Sequence, residues 1–127
     1  MANKSIQMQD GSDYIFPRSI AYQDISNQFT YALSSGEGLI RVLYDPVNKI
    51  VKGFFSVNGA NAFNTTTAMF TIPSAYRPSA NVLWTGMIKT SSDVWGAYNG
   101  AVLANGNIVQ KYSASATQAT GTFEYQI

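Results

Sequence analysis

The sequence contains no cysteine and no histidine. Without thiols it has no disulfide, no thiolate nucleophile, no iron–sulfur cluster and no cysteine-ligated zinc. Without imidazole it lacks the commonest general base and metal ligand. Charge is scarce too. Lys and Arg number 8 against 7 Asp and Glu, so 12% of the residues are charged and the formal net charge is +1. Nucleic-acid binding needs a cationic surplus that displaces counterions, and this composition has none to spare. Long apolar runs are missing as well. Nothing approaches the roughly 20 residues of a membrane span, and Met1-Ala2-Asn3-Lys4 leads into polar residues and not into a signal-like apolar stretch. These absences predict a chain made soluble, with no membrane insertion, no metal, no cofactor and no nucleic-acid partner. Its 127 residues suffice for one folding unit with a single core.

Neutral polarity takes the place of charge. Ser, Thr and Asn supply 33 of the 127 residues, beside 13% aromatics. Thr, Tyr, Phe and Trp favour strands while Asn, Ser and Gly favour turns, so the composition fits a β-rich protein. It also fits saccharide binding, which uses amides and hydroxyls beside flat apolar rings. Extracellular β-proteins share this composition whatever they bind.

The pattern along the chain divides into an N-terminal segment, 1–38, and a head, 39–127, within one folding unit. In the first segment, short strands around Ile6–Met8 and Tyr14–Phe16 flank the turn Asp10-Gly11-Ser12-Asp13, and Pro17 ends the second strand. Ile25, Phe29 and Leu33, four apart, predict a short helical face. In the head, Leu39–Tyr44 alternates Ile40, Val42 and Tyr44 on one side, turns at Asp45-Pro46-Val47-Asn48 and returns as Lys49–Val57. Asn58–Ala62 reads as irregular and Thr65–Ile72 as a strand ended by Pro73. Asn81–Thr90 puts Val82, Trp84, Gly86 and Ile88 on one face. Trp95–Ala104 and Asn107–Tyr112 flank Asn105-Gly106, a type I′ hairpin signal. A soft loop over Ser113–Thr120 precedes a closing strand, Thr122–Ile127. Eight or nine short strands with turns at this spacing predict an all-β fold, a compact antiparallel β-barrel or β-sandwich.

Hydrolysis without His or Cys would need a pair of carboxylates. The seven acids are Asp10, Asp13, Asp24, Glu37, Asp45, Asp93 and Glu124, and no spacing pairs them. Asp10, Asp13 and Asp45 fall in turns, where Asp caps its own backbone. Asp10, Ser12 and Asp13 lack the spacing of a Ca²⁺ loop. A non-enzymatic protein is the expectation. The richest stretch is 89–112, where Asp93, Trp95, Tyr98, Asn99 and Tyr112 offer rings for the apolar face of a pyranose and amide or carboxylate oxygens for its hydroxyls. These five are the candidate saccharide site, and the competing explanation is that the rings pack the core.

Thr71-Ile72-Pro73-Ser74-Ala75-Tyr76-Arg77-Pro78-Ser79 resembles a motif of tail-tip and baseplate proteins of phages of Gram-positive bacteria. It is followed, as in those proteins, by an apolar strand, an Asn-Gly hairpin and a closing strand after Ala119-Thr120-Gly121-Thr122. The stretch 65–127 is similar to the head domain of lactococcal-type siphophage receptor-binding proteins, and Ile6–Pro17 looks like the opening of many such chains. The resemblance implies a homotrimeric head at the virion tail tip or baseplate. Such a head contacts other tail proteins and binds host cell-wall saccharide or glycerol-phosphate polymers without catalysis. It also implies a structural role for Tyr76-Arg77-Pro78, with Arg77 holding backbone carbonyls or a neighbouring subunit. The sequence departs from that family at the strand where a His-x-Asp pair takes the sugar: Asn99 and Ala101 stand there. The alternative implied is a structural tail component with no sugar site.

Overall fold

A computed structural model describes residues 5–7, 13–15, 22–112 and 115–127. Within them the protein is all-β. β1 (Ser5–Gln7) and β2 (Asp13–Ile15) form an antiparallel hairpin in which Ser5 pairs with Ile15. Most of the turn expected between them, with Met8, Phe16 and Pro17, lies outside the described residues. Nine further strands make a single antiparallel sheet: β3 (Gln23–Asp24), β4 (Thr30–Tyr31), β5 (Glu37–Asp45), β6 (Ile50–Phe63), β7 (Phe70–Thr71), β8 (Val82–Thr90), β9 (Trp95–Val102), β10 (Asn107–Gln110) and β11 (Ala116–Gln126). Their order is β3-β5-β6-β11-β8-β9-β10-β7-β4. The expected barrel or sandwich is therefore one sheet, and it is not closed by hydrogen bonds between its edges.

Chain length forces this sheet to roll. A flat sheet of nine strands would hold its edges about 38 Å apart, at about 4.8 Å per strand. The edges here are β3 and β4, and only Ile25–Phe29 connects them, a link that reaches about 20 Å when fully extended. It is not extended: Ser26–Gln28 is a 3₁₀ turn. The turn docks on β5 through Ile25 N–H to Val42 O (3.0 Å) and Val42 N–H to Ser26 Oγ (2.7 Å). Ile25 and Phe29 are buried and plug the seam. The helix expected from their spacing is this single turn followed by β4. Both edge strands lie between Gln23 and Tyr31, so this part of the segment before Leu39 belongs to the same sheet as the head strands, while β1 and β2 form a sheet of their own.

Alternation then sorts the side chains. Val42, Val51, Phe55, Val57, Trp84, Ile88, Val102, Ile108 and Phe123 point into the roll and are buried. Trp84 is the largest of them. It faces Gly100 across the β8–β9 pair, donates its Nε1–H to Val109 O on β10 (2.8 Å) and meets Phe55 edge-on, with centroids 5.0 Å apart. A Cβ on Gly100 would fall 2.3 Å from the indole, and one on Gly121 would fall 2.5 Å from it. The indole thus lies across two strands that carry no side chain beneath it.

The Tyr76-Arg77 motif holds one end of the roll. Tyr76 accepts the Tyr125 hydroxyl at its carbonyl (2.6 Å) and packs edge-on to Tyr44, while Arg77 Nε donates to Ile72 O (2.9 Å). Burial pushes the Tyr125 phenol well above its ordinary pKa.

Four local expectations are corrected. Over 65–72 only Phe70–Thr71 is strand, because Asn64 Oδ1 accepts from Thr66 and Thr67 and bends the chain into a turn. β6 runs on through 58–62 and β11 begins at Ala116, the two pairing at Asn58–Gln118 and again at Phe63–Ala116. The Asn105-Gly106 turn is a three-residue loop, with Leu103 N–H bonded to Asn107 O (2.8 Å). Gly106 has φ 97°, and Asn105 is not among the residues with positive φ, so this is a bulged turn rather than type I′.

Two outcomes test this packing. Gly100→Ala should lose about 3 kcal/mol in urea unfolding, the upper end for overpacking, since the new methyl meets backbone as well as indole. Gly96→Ala, which meets only the Tyr98 ring, should lose less. At the β5–β6 turn, burial alone would raise the Asp45 carboxyl. Hydrogen bonds from Asn48 and Val47, with Lys52 nearby, outweigh it and hold the pKa below the usual value. A depressed carboxyl contributes stability above the unfolded pKa, about 3.9, and that contribution is lost as pH falls through the folded value. Asp45→Asn should therefore unfold more easily at neutral pH and flatten the acid limb of a stability–pH curve.

Candidate functional site

The five sequence-derived site residues do not converge on one surface. Trp95, Ala97 and Asn99 point outward along β9, with Trp95 44% exposed. Tyr98 points the opposite way and packs on Tyr112, with ring centroids 4.4 Å apart. The hydrogen bond to Tyr112 and then burial push the Tyr98 hydroxyl above its ordinary pKa. These two rings belong to the rim of the core. Asp93 sits in the turn between β8 and β9, closed by Asp93 N–H to Thr90 O (3.0 Å) and Thr90 N–H to Val94 O (2.9 Å). Its carboxylate lies 2.6 Å from Lys89 Nζ, and Lys89 is the cross-strand partner of Trp95. The fold therefore brings Asp93, Lys89 and Trp95 together, sets Asn99 further along the same face beside its partner Thr85, and removes Tyr98 and Tyr112 to the other face. Ala101, next outward after Asn99, is buried.

The outward face carries more than that site. On β5, β6, β8 and β9 it exposes Leu39 (58%), Phe54 (41%), Leu83 (63%), Met87 (43%) and Trp95, flanking Thr120 and Thr122 on the central strand β11. β8 and β11 stay paired only as far as Thr85 and Thr122. Beyond that point they part, and a hollow of about 630 Å³ opens, lined among others by Arg41, Lys52, Phe54, Leu83, Thr85 and Glu124. Lys52 also stands over the Tyr22 ring, 4.3 Å from its centroid.

A second concavity, of about 260 Å³, lies at the end of the roll where the loop before β5, the end of β6 with the turn after it, and Ser115 just before β11 meet. It exists because β6 is longer than its partner needs. Asn58 pairs with Gln118 and Phe63 with Ala116, so five steps along β6 match two along β11, and 59–62 bulge outward. Ala60 in the bulge takes φ 59°, and Asn58 Oδ1 accepts its N–H (3.1 Å). The loop before β5 is sewn to it: Ser35 Oγ donates to Gly59 O (2.6 Å), Asn61 Nδ2 donates to Ser35 Oγ (3.1 Å), and Tyr31 hydroxyl donates to Ser35 O (2.6 Å).

No family model, curated protein or solved structure matches this chain.

The concavity and the apolar outward face were both missed from the sequence. The bulge shows there as Asn58-Gly59-Ala60-Asn61-Ala62 with a Ser34-Ser35 loop to face it, a concentration of uncharged polar residues. The outward face shows as apolar residues at both parities of one strand, as in Val82-Leu83-Trp84, where alternation alone names only one side as core.

The β8–β9 turn gives a local test. Asp93 has φ 67°, a region that favours glycine, and its ion pair with Lys89 is a surface one whose carboxylate is 83% exposed. Asp93→Gly should leave thermal stability unchanged or higher, and Asp93→Val should lower it, as read by melting followed by circular dichroism.

Proposed function

We propose that this chain is a tail-tip adhesion protein of a phage of Gram-positive bacteria, recognising a host cell-wall saccharide without catalysis and working as a homotrimer beside other baseplate proteins. The motif order from Thr71 to Thr122 supports the phage assignment. The saccharide reading rests on one observation: Trp95, Asn99 and Thr85 share the outward face of β8 and β9, so a half-exposed indole, an amide and a hydroxyl stand on one rigid surface. Such a ring can cover the apolar face of one pyranose, while Asn99 and Thr85, four residues along the strand and about 13 Å away at about 3.3 Å per residue, take hydroxyls of a neighbouring unit. A non-catalytic role fits the hollows described above, where, among the described residues, Glu124 is the one carboxylate lining the larger and the smaller has none. Copies gathered on one tip would add effective concentration to individually weak contacts.

A second reading, a structural tail component, is favoured by the apolar outward face, since Leu39, Phe54, Leu83 and Met87 would bury against a neighbouring subunit. Trp95→Ala separates the two. Adhesion predicts a folded protein of unchanged oligomeric state whose binding to Gram-positive wall fragments falls at least about tenfold, roughly 1.4 kcal/mol. A structural role predicts lost assembly or stability with no wall binding in either protein.

A further inference from the structure

The concavity at the bulged end of β6 differs in chemistry from the larger hollow, which Arg41, Lys52 and Glu124 line. Among the described residues its lining contains no ionisable side chain. Six neutral polar residues line it: Ser34, Ser35, Asn61, Asn64, Thr67 and Ser115. They differ in how they are committed. Asn64 Oδ1 is fully used by Thr66 and Thr67, through both backbone and hydroxyl groups, which fixes the amide and leaves its Nδ2 as a donor. Asn61 is fixed by its bond to Ser35, which leaves its Oδ1 as an acceptor. Ser34 and Ser115 are exposed, and their hydroxyls make no hydrogen bond among the described residues. Donors and acceptors are thus both presented, held by neighbours that are themselves bonded. The Phe63 ring, packed against Gly59, supplies an apolar part of the lining.

We infer that this concavity is a binding site for a single uncharged pyranose unit, an inference that rests on the saccharide reading above but places the ligand away from Trp95. The volume, about 260 Å³, is that of roughly nine waters at about 30 Å³ each, which suits one sugar ring and not a chain. A pyranose hydroxyl both donates and accepts, and it needs what Asn61, Asn64, Ser34 and Ser115 provide. A phosphate or uronate would meet no cation among the described lining residues and would lose its hydration without compensation. The site is preorganised at a cost in the backbone, the left-handed Ala60, and strain of that kind persists where the surroundings hold it.

The test is titration of the ¹⁵N-labelled chain with glucose, galactose, rhamnose and N-acetylglucosamine, and with glucuronate and glucose 6-phosphate as charged counterparts. At least one neutral sugar should saturably shift the side-chain amides of Asn61 and Asn64 and the backbone signals of Ser34 and Ser35. The affinity should change less than about twofold between about 50 and 500 mM salt, because no charge is being screened. Charged counterparts should bind at least about fivefold more weakly. Asn61→Ala should weaken the neutral sugar about tenfold, and Ser34→Ala, whose hydroxyl supports nothing in the fold, about threefold. Absence of saturable shifts with every neutral sugar overturns the inference, as do shifts that neither variant alters, or a preference for the charged sugars. Wall binding that Trp95→Ala abolishes while the concavity stays silent overturns this inference and leaves the adhesion reading standing. Sugar binding in the concavity without wall binding does the reverse.

Discussion

The fold depends on one indole lying flat across its sheet. Trp84 occupies the space above Gly100 on one neighbouring strand and beside Gly121 on the other, and its single polar atom is satisfied two strands away at Val109 O. Each contact constrains a register. A shift of β9 by one residue would set Ala101 beneath the ring in place of Gly100, and a shift of β11 would set Thr120 or Thr122 where Gly121 lies. Because side chains alternate faces, either slip would also turn every core residue of that strand outward. The indole thus ties β9, β10 and β11 to β8, with Phe55 edge-on against it.

The roll itself follows from the link between the edges. Ile25–Phe29 brings β3 and β4 together, and because each has only two residues, a 3₁₀ turn and not a ladder spans the gap. Short edges of this kind offer little template for pairing with another chain. The long strands are in the middle, and their excess length becomes surface relief. β6 exceeds its partner at one end and bulges into the neutral concavity, while β8 and β11 part at the other and leave the larger hollow.

Much of this was legible in the sequence where residues of one parity repeat: Ile40, Val42 and Tyr44 on β5, and Trp84 and Ile88 on β8, mark strand and inner face, although Leu39, Leu43, Leu83 and Met87 stand on the other parity. The reading failed where two explanations share one pattern. Ile25 and Phe29 are four apart as on a helix, yet they are buried because a turn brings both to the seam. The triple threonine at 65–67 has strand propensity, but Asn64 upstream offers its carbonyl oxygen to their backbone and hydroxyls, and the local bond wins. The loop expected over 113–120 is strand from Ala116 because partners flank it on both sides, a tertiary fact that no local propensity carries. Among the candidate site residues, Trp95 and Asn99 share a face because they differ by an even number, and Tyr98 leaves it because it does not. That parity was available in advance. That Tyr112 pairs with Tyr98 was not, since it depends on how β10 ends.

The energetics of neutral recognition join the concavity to the outward face. A neutral hydrogen bond contributes about 0.5–1.5 kcal/mol net, so four of them on one sugar ring give about 2–6 kcal/mol, and a millimolar dissociation constant corresponds to about 4 kcal/mol. A site of the proposed kind would not by itself hold a large particle on a cell. Linking copies raises avidity by about 10²–10⁴ with no new contact, which moves the same chemistry into a range where attachment lasts. An uncharged site of the proposed kind would place its demand elsewhere on the molecule, on a surface able to gather copies, and Leu39, Phe54, Leu83 and Met87 on β5, β6 and β8 have the apolar composition such a surface would need.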